Sequence, residues 1–517
     1  MGMCSRSTFN KVFAVAILTA INFLNYMDRY TIAGILTSLE DTTANGFKIN
    51  GKPEAIEDWQ GGLLQTAFIG SYMLLAPLFG YLGDRYARKY IMSVGILLWS
   101  AFTLLGSFSV NYWMLFGTRL FVGVGEASYA TIAPTILADL FPVESRLRIL
   151  SIFYLAMPLG SAFGYIIGAE LTQLIRMYTN QAVPWRWALR VTPGLGVIAV
   201  LLVLFVLVEP KRGHSEGQRT GKGVQGETGI TAYLKDIWYC LTTPTFLLTT
   251  IGFSAVTFTT GALAQWAPLY IYRVSYVVLG ADKQYEKSTA ALIFGGITVV
   301  AGIAGTLCGS ELSKKLGKKT RKADAIVCSL GMMLGTPFLF LALVVAQYKI
   351  LYLGWVFVFV AEFFLCLNWA PVAAILLYTI RAGRRSTAEA VQILMSHLLG
   401  DAVSPLICGA ISDSIFAVIG PVQGVQHGKA ISLEFGLLIT AFVCVLGGGA
   451  FLASTLTVEA DRKAVEIFNS KANHSVQKSA HVDYVPPDAA DDFDERKELL
   501  ADAIKDKDIV SVDYKSI

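Results

Sequence analysis

Apolar stretches of about 20 residues or more, the length an α-helix needs to cross the hydrocarbon of a bilayer, recur along this chain. They fall at 10–39, 60–83, 90–109, 112–141, 148–174, 186–208, 245–272, 288–312, 323–347, 350–380, 387–416 and 431–457. The pattern predicts an all-α, polytopic membrane protein with 12 transmembrane helices. Composition agrees: of 517 residues 54% are hydrophobic and 15% charged, with a mean hydropathy of +0.55, whereas soluble domains carry about 25% charged residues. The net charge of +4 is spread over loops, and no basic stripe is backed by stacking aromatics, so no nucleic-acid partner is expected. Seven cysteines, several of them in apolar runs, show no disulfide framework. The first run continues through Asp28 and Arg29 with no small-residue cleavage site, so it reads as a retained span and not a signal peptide.

A polar segment at 209–244, part of it rich in Gly, Lys and Arg, divides the chain. It separates an N-terminal six-helix bundle (1–208) from a C-terminal one (245–457), and a polar tail (458–517) follows. Lys and Arg concentrate in the loops after even-numbered spans, from Arg85, Arg88 and Lys89 to Arg381, Arg384 and Arg385, about 19 there against about 10 on the other side. Cytoplasmic loops carry such an excess, so both termini are expected in the cytosol. The first loop on the opposite side, 37–59, is acidic, with Glu40, Asp41, Glu54, Glu57 and Asp58. The tail reads as mostly disordered. It carries an acidic dileucine pattern, Glu495-Arg-Lys-Glu-Leu499-Leu500, and a tyrosine pattern, Tyr514-Lys-Ser-Ile517. Trafficking adaptors read such peptides, which predicts an endosomal or lysosomal address with the plasma membrane as the alternative.

Two spans hold charges where charge is expensive. Asn25-Tyr-Met-Asp-Arg-Tyr30 places an acid and a base inside the first span, and Arg119-Leu-Phe-Val-Gly-Val-Gly-Glu126 places another pair in the fourth. Intramembrane ionisable residues are by default functional; the alternative is an ion pair that only fixes packing. Arg119 and Glu126 are two helical turns apart and project from one face. Asp28 and Glu126 are the candidate proton carriers, tuned by Arg29 and Arg119, because a guanidinium favours the charged carboxylate and a low dielectric disfavours it. Arg29 is also the expected partner of a phosphate, which guanidinium binds bidentately. Asn22, one turn before Tyr26, is expected to line the same cavity. Pro158, Gly160, Gly164 and Gly168 form a small-residue stripe on the fifth span, assigned to packing and bending.

Gly80-Tyr-Leu-Gly-Asp84-Arg85-Tyr-Ala-Arg88-Lys89 closes the second span and opens a short basic loop. It resembles the signature of the major facilitator superfamily, with Ala87 at the second glycine of that signature. A second basic loop, Gly309-Ser-Glu-Leu-Ser313-Lys-Lys-Leu-Gly-Lys318, follows the eighth span with Ser313 in place of the acid. Related half-structures of this kind are what a transporter of two bundles shows. Six further segments narrow the resemblance to the spinster family: Asn25–Tyr30, Gly125-Glu-Ala-Ser-Tyr129, Trp185-Arg-Trp-Ala188, Gln265-Trp-Ala-Pro268, Arg384-Arg-Ser-Thr-Ala-Glu389-Ala and Ser396-His397-Leu-Leu-Gly-Asp401-Ala.

The resemblance implies a proton-linked exporter of lysolipids, and the dileucine pattern favours the lysosomal branch, which moves lysophospholipids. Rocker-switch alternating access would carry a single-chain amphiphile from the acidic lumen to the cytosol, with the proton gradient as driving force and no cofactor or metal. The bilayer, a lysolipid and trafficking adaptors are the expected partners, and the carrier is expected to act as a monomer. Candidate cavity residues are Asn22, Tyr26, Tyr30, Tyr129, Trp266 and Asn368; Trp266 reads equally as interfacial belt. His397 joins the proton carriers because an ordinary imidazole titrates between cytosolic and lysosomal pH. Asp84, Arg85, Arg88 and Glu389 are the candidate cytosolic gate. Competing readings are a sphingosine 1-phosphate exporter, a carrier of small polar solutes and a non-transporting scaffold. No enzyme is expected, since no nucleophile elbow, zinc-spaced set or phosphate-cradling loop is present.

Overall fold

The computed structural model describes residues 2–40, 46–49, 52–53, 55–141, 143–179, 183–210, 230–280, 287–345, 351–381 and 384–482. Residues 1–461 form one compact unit. Six crossings precede the segment at 211–229: α1 (Gly2–Glu40), α2 (Asp58–Arg85), α3 (Arg88–Gly106), α4 (Tyr112–Leu140), α5 with its continuation, and α7 (Trp185–Phe205). α5 (Val143–Ile166) passes through a π-helical turn (Ile167–Leu171) into α6 (Thr172–Thr179). Beyond that segment lie α8 (Ile230–Thr242), α9 (Pro244–Leu279), α10 (Lys287–Gly317), α11 (Ala323–Val345), the pair α12 (Leu351–Cys366) and α13 (Trp369–Thr379), the pair α14 (Arg385–Leu399) and α15 (Ser404–Gln423), and α16 (Val425–Val482). Eleven spans among the described residues are long and apolar enough to cross a membrane, and α1, packed along α5, makes the twelfth crossing. A short antiparallel ladder, Lys48–Ile49 with Lys52–Pro53, lies between α1 and α2.

The tenth and eleventh crossings are broken. α12 gives way to α13 at Leu367 and Asn368, and α14 to α15 over residues 400–403. Discontinuous helices of this kind build sites in transporters, because irregular backbone at membrane depth is tolerated where protein or a cavity surrounds it. The linker expected at 209–244 contains α8 among its described residues. α8 buries Cys240 with Phe246, Leu376, Ile380 and Ala388, and Asp236 pairs with Arg384 at 2.8 Å.

The unit from Arg462 onward, described to Val482, is helical where disorder was expected. Good helix formers and an i,i+4 pair explain it: Arg462 Nε donates to Glu466 Oε1 at 3.2 Å. The sorting residues Glu495, Leu499, Leu500, Tyr514 and Ile517 lie outside the described residues.

The small-residue stripe packs α5 on α1. Cβ atoms added at Gly160, Gly164 and Gly168 would stand 2.4, 2.4 and 2.7 Å from the carbonyl oxygens of Phe23, Met27 and Thr31, so no larger residue fits without parting the helices. That contact sets the rotation of α1, and with it the directions in which Asp28 and Arg29 point. The halves meet along α2 with α15 and α5 with α10. The main buried apolar cluster is shared between the halves, with Leu36, Tyr165 and Trp266 among its members.

Candidate site between the two halves

Asp28 points into the N-terminal half and is fully buried. Its Oδ2 accepts from Trp99 Nε1 at 3.0 Å, Thr103 Oγ1 at 3.2 Å and Arg119 Nη1 at 3.3 Å, and its Oδ1 from Thr192 Oγ1 at 2.6 Å. Four donors from α3, α4 and α7 therefore close around one carboxylate.

Arg29 points the other way, across the molecule. Its Nη2 lies 3.0 Å from Asp401 Oδ2, in the break between α14 and α15. Asp401 is held in turn by His397, whose Nδ1 is 3.0 Å from each carboxylate oxygen. The Arg29 guanidinium lies over Tyr26, Tyr30 and Phe68 at 5.7, 5.8 and 5.3 Å from the ring centroids, and Arg119 sits 5.1 Å from the same Phe68 ring. One phenyl ring thus lies within cation–π reach of both buried cations. Glu126 stands among Asn25, Asp28, Arg29 and Arg119, and its Oε1 is buried with no hydrogen-bond partner among the described residues.

The expected pairings are therefore crossed. Arg119 holds Asp28, and Arg29 holds Asp401, a residue named in the sequence only as part of a motif. The His397–Asp401 spacing of four was the available signal, because i and i+4 share a helix face. Phe68 gave no signal, since an apolar residue in an apolar span is unremarkable.

Of the six expected cavity residues, Tyr26 and Tyr30 stand at Arg29. Asn22 donates to the Phe153 carbonyl of α5 at 3.0 Å, and the buried Tyr129 donates to the Leu18 carbonyl of α1; both tie α1 into its own half. Trp266 is neither belt nor cavity wall: it is fully buried, its indole donates to the Pro405 carbonyl at 2.9 Å, and its ring fits against Gly61 of α2 because that residue has no side chain. Asn368 caps the α12–α13 break, with its Nδ2 donating to the Leu365 carbonyl at 2.9 Å, and packs near Gly331 of α11.

Charges near Asp58 clasp the halves together. Arg273 of α9 reaches Asp58 of α2 at 2.6 and 3.0 Å and Glu40 of α1 at 3.0 Å. Ser412 of α15 donates to Asp58 at 2.6 Å. Asp413 accepts the backbone N–H groups of Asp58 and Trp59 at 3.2 and 2.7 Å, so a carboxylate from one half caps the positive end of a helix in the other. Gln265 Nε2 donates to the Gly61 carbonyl at 3.3 Å. Deeper in, Thr66 donates to the Ala402 carbonyl at 2.5 Å and Tyr165 to the Ala264 carbonyl. Toward the opposite, Arg88 end, Tyr154 of α5 is 46% exposed, and Glu389 of α14, also exposed, lies within its electrostatic reach. The halves are clasped at the Asp58 end.

Of the candidate gate, Arg88 pairs within its own half, with Asp139 at 2.5 Å, and its backbone N–H donates to Glu209 at 2.9 Å. The side chains of Asp84 and Arg85 lie outside the described ones. In the second basic loop Ser313 donates to Asp324 Oδ1 at 2.6 Å, so the acid missing from that motif is supplied from α11.

Twelve crossings, two of them broken, with cations and carboxylates converging between two halves, define a secondary transporter. The sequence pattern of the Major Facilitator Superfamily matches residues 18–405. Protein spinster homolog 1 of Xenopus laevis is 48% identical over 473 residues, 89% of this chain and 83% of the relative. The Homo sapiens protein of the same name is 46% identical over 460 residues, 88% and 82% of the two chains. The chain belongs to the spinster family of this superfamily. In structure it resembles an inward-facing, unoccupied bacterial homologue of the human lysosomal transporter spinster, with a TM-score of 0.72 at 20% identity over 88% of this chain and 98% of that one.

Proposed function

We propose that this transporter exports lysophospholipids, lysophosphatidylcholine and lysophosphatidylethanolamine among them, from the lysosome lumen to the cytosol, driven by the proton gradient. The observation that carries this reading is Arg29: a permanently charged guanidinium, buried between the halves and ringed by Tyr26, Tyr30 and Phe68. Such a place suits a phosphate joined to one long apolar chain better than a small polar solute, which would need polar walls. The excess of Lys and Arg on the loops of the Arg88 end supports a cytosolic position for that end. The Asp58 clasp is then luminal, and it holds the halves together on that side.

Glu126 and His397 are the residues best placed to carry protons. Glu126 keeps a free carboxylate oxygen, and the His397 side chain is 26% exposed beside Asp401. Asp28, saturated by four donors, instead holds Arg119 in place. A bacterial relative described as a homologue of a human lysosomal transporter supports the lysosomal setting, reached through adaptors that bind the tail.

Lipid analysis of lysosomes from cells with and without the protein tests this reading. Lysophosphatidylcholine and lysophosphatidylethanolamine are expected to accumulate without it, and wild type but not Arg29→Ala is expected to clear them. Unchanged lysolipids with the protein at the cell surface would shift the substrate to sphingosine 1-phosphate or an unrelated solute. In proteoliposomes, Glu126→Gln is expected to abolish the response of flux to a pH gradient; flux that still follows the gradient would remove Glu126 from the proton path.

A further inference from the structure

We propose that Asp401 is the internal occupant of the phosphate seat on Arg29, so that substrate phosphate and Asp401 exclude one another. The inference rests on the reading of Arg29 as the phosphate partner and adds the group that must leave for substrate to bind.

Three features of the geometry point to exchange. First, the Arg29–Asp401 contact is incomplete. Nη2 is paired at 3.0 Å, while Nε is buried without a partner among the described residues. Nε and Nη2 form one edge of the guanidinium, the edge that a bidentate oxyanion takes with two parallel hydrogen bonds. Asp401 uses half of that edge; a phosphate would use all of it.

Second, Asp401 can let go without being stranded. A buried carboxylate that loses its only partner is strongly destabilising, but Nδ1 of His397 is within 3.0 Å of both of its oxygens. When Arg29 turns to a phosphate, the imidazole retains the carboxylate. Among the described residues Tyr30 of α1 and Tyr72 of α2 also lie in electrostatic reach of Asp401, and neither is an alternative cation.

Third, Asp401 stands where the backbone is not helical, in the step between α14 and α15, and α9 makes room for it. A Cβ at Gly261 would be 2.4 Å from Cβ of Asp401. A carboxylate on a helix interior moves only with its helix, whereas one on a break can swing.

The consequence is an interlock. In the empty carrier α1 and the α14–α15 break are joined by Arg29–Asp401; arrival of a phosphate breaks that joint and frees the halves to rock. Binding measurements on the purified full-length protein test it, comparing lysophosphatidylcholine with a monoacylglycerol of the same chain, which lacks the phosphate. Asp401→Asn is expected to bind lysophosphatidylcholine about tenfold more tightly, the size of one charge-assisted hydrogen bond no longer competed for, with monoacylglycerol binding unchanged. In flux assays the same variant is expected to lower KM and kcat together, which a merely structural defect does not do. His397→Leu, which leaves Asp401 on Arg29 but removes the donor that receives it, is expected to weaken lysophosphatidylcholine binding and serves if Asp401→Asn fails to fold. Unchanged or weaker lysophosphatidylcholine affinity in a folded Asp401→Asn protein, or unchanged affinity in His397→Leu, overturns the exchange. If wild type does not distinguish the two lipids at all, the assignment of phosphate to Arg29 fails first.

Discussion

Adjacent side chains on an α-helix point about 100° apart and do not face each other, so Asp28 and Arg29, neighbours in the chain, cannot serve one another. One goes into the N-terminal half and meets Arg119; the other goes across and meets Asp401. The sequence announced that charges were buried, because hydropathy makes an acid and a base in a span conspicuous. It did not announce their partners, which depend on the rotation of α1 against α5. The two acids of the N-terminal half should respond differently to loss of charge. Asp28→Asn leaves Arg119, 2% exposed, without its carboxylate, a loss of about 3–5 kcal/mol for a buried pair broken on one side. Glu126 has an oxygen with no hydrogen bond to lose and its guanidinium neighbours Arg29 and Arg119 are each paired with another acid, so Glu126→Gln should cost less stability. Thermal melting of the two purified variants checks this: a large fall for Asp28→Asn and little for Glu126→Gln. Equal falls would mean that Glu126 is as deeply committed to the packing as Asp28.

Spans were legible because a run of about 20 apolar residues has few other uses, and most of their ends are close to the helices that form. Breaks within spans were not. Asn368 and, after Gly400, Asp401 were visible in the sequence as polar residues within spans, but nothing in the pattern marked them as unwound, and tertiary contacts such as Thr66 to the Ala402 carbonyl decide that. α8 hid inside a polar segment for another reason, since only one of its faces is apolar. The stripe on α5 was legible as packing, and its target is α1. At Gly164 a Cβ would lie 2.4 Å from the Met27 carbonyl, one residue from Asp28 and two from Arg29. Gly164→Leu should therefore separate α5 from α1, cost about 1–3 kcal/mol by overpacking, and reduce lysolipid binding although residue 164 touches no charge. Normal binding with only a lowered melting temperature would show that α1 keeps its rotation without the close contact.

At the scale of the molecule the ion pairs between the halves are Arg29–Asp401 at the centre and the Arg273 clasp at one end. Arg273 is 3% exposed and serves two acids, with Asp58 at 2.6 Å and Glu40 at 3.0 Å. In the opposite state these groups would separate into water, where carboxylates need no partner. Arg273→Ala therefore penalises only the closed arrangement, by about 3 kcal/mol, the lower end for a broken buried pair, because Lys429 remains 3.8 Å from Glu40. Each 1.4 kcal/mol is about a factor of ten, so the equilibrium should move by roughly two decades toward opening at the Asp58 end. Ala264 lies behind the clasp on α9, and an Ala264→Cys probe reports the opening. With the exposed Cys308 replaced, an impermeant maleimide applied from the Asp58 side should label it slowly in the otherwise wild-type chain and rapidly with Arg273→Ala. Exchanging the charges, Asp58→Arg with Arg273→Asp, should return part of the protection. If labelling stays slow in Arg273→Ala, the closed end is held by the interlocked glycines instead: Cβ atoms added at Gly62 and Gly409 would lie 2.2 Å from the Pro405 carbonyl and 2.5 Å from the Asp58 carbonyl. The ion pairs would then select the partner surfaces without setting the balance between states.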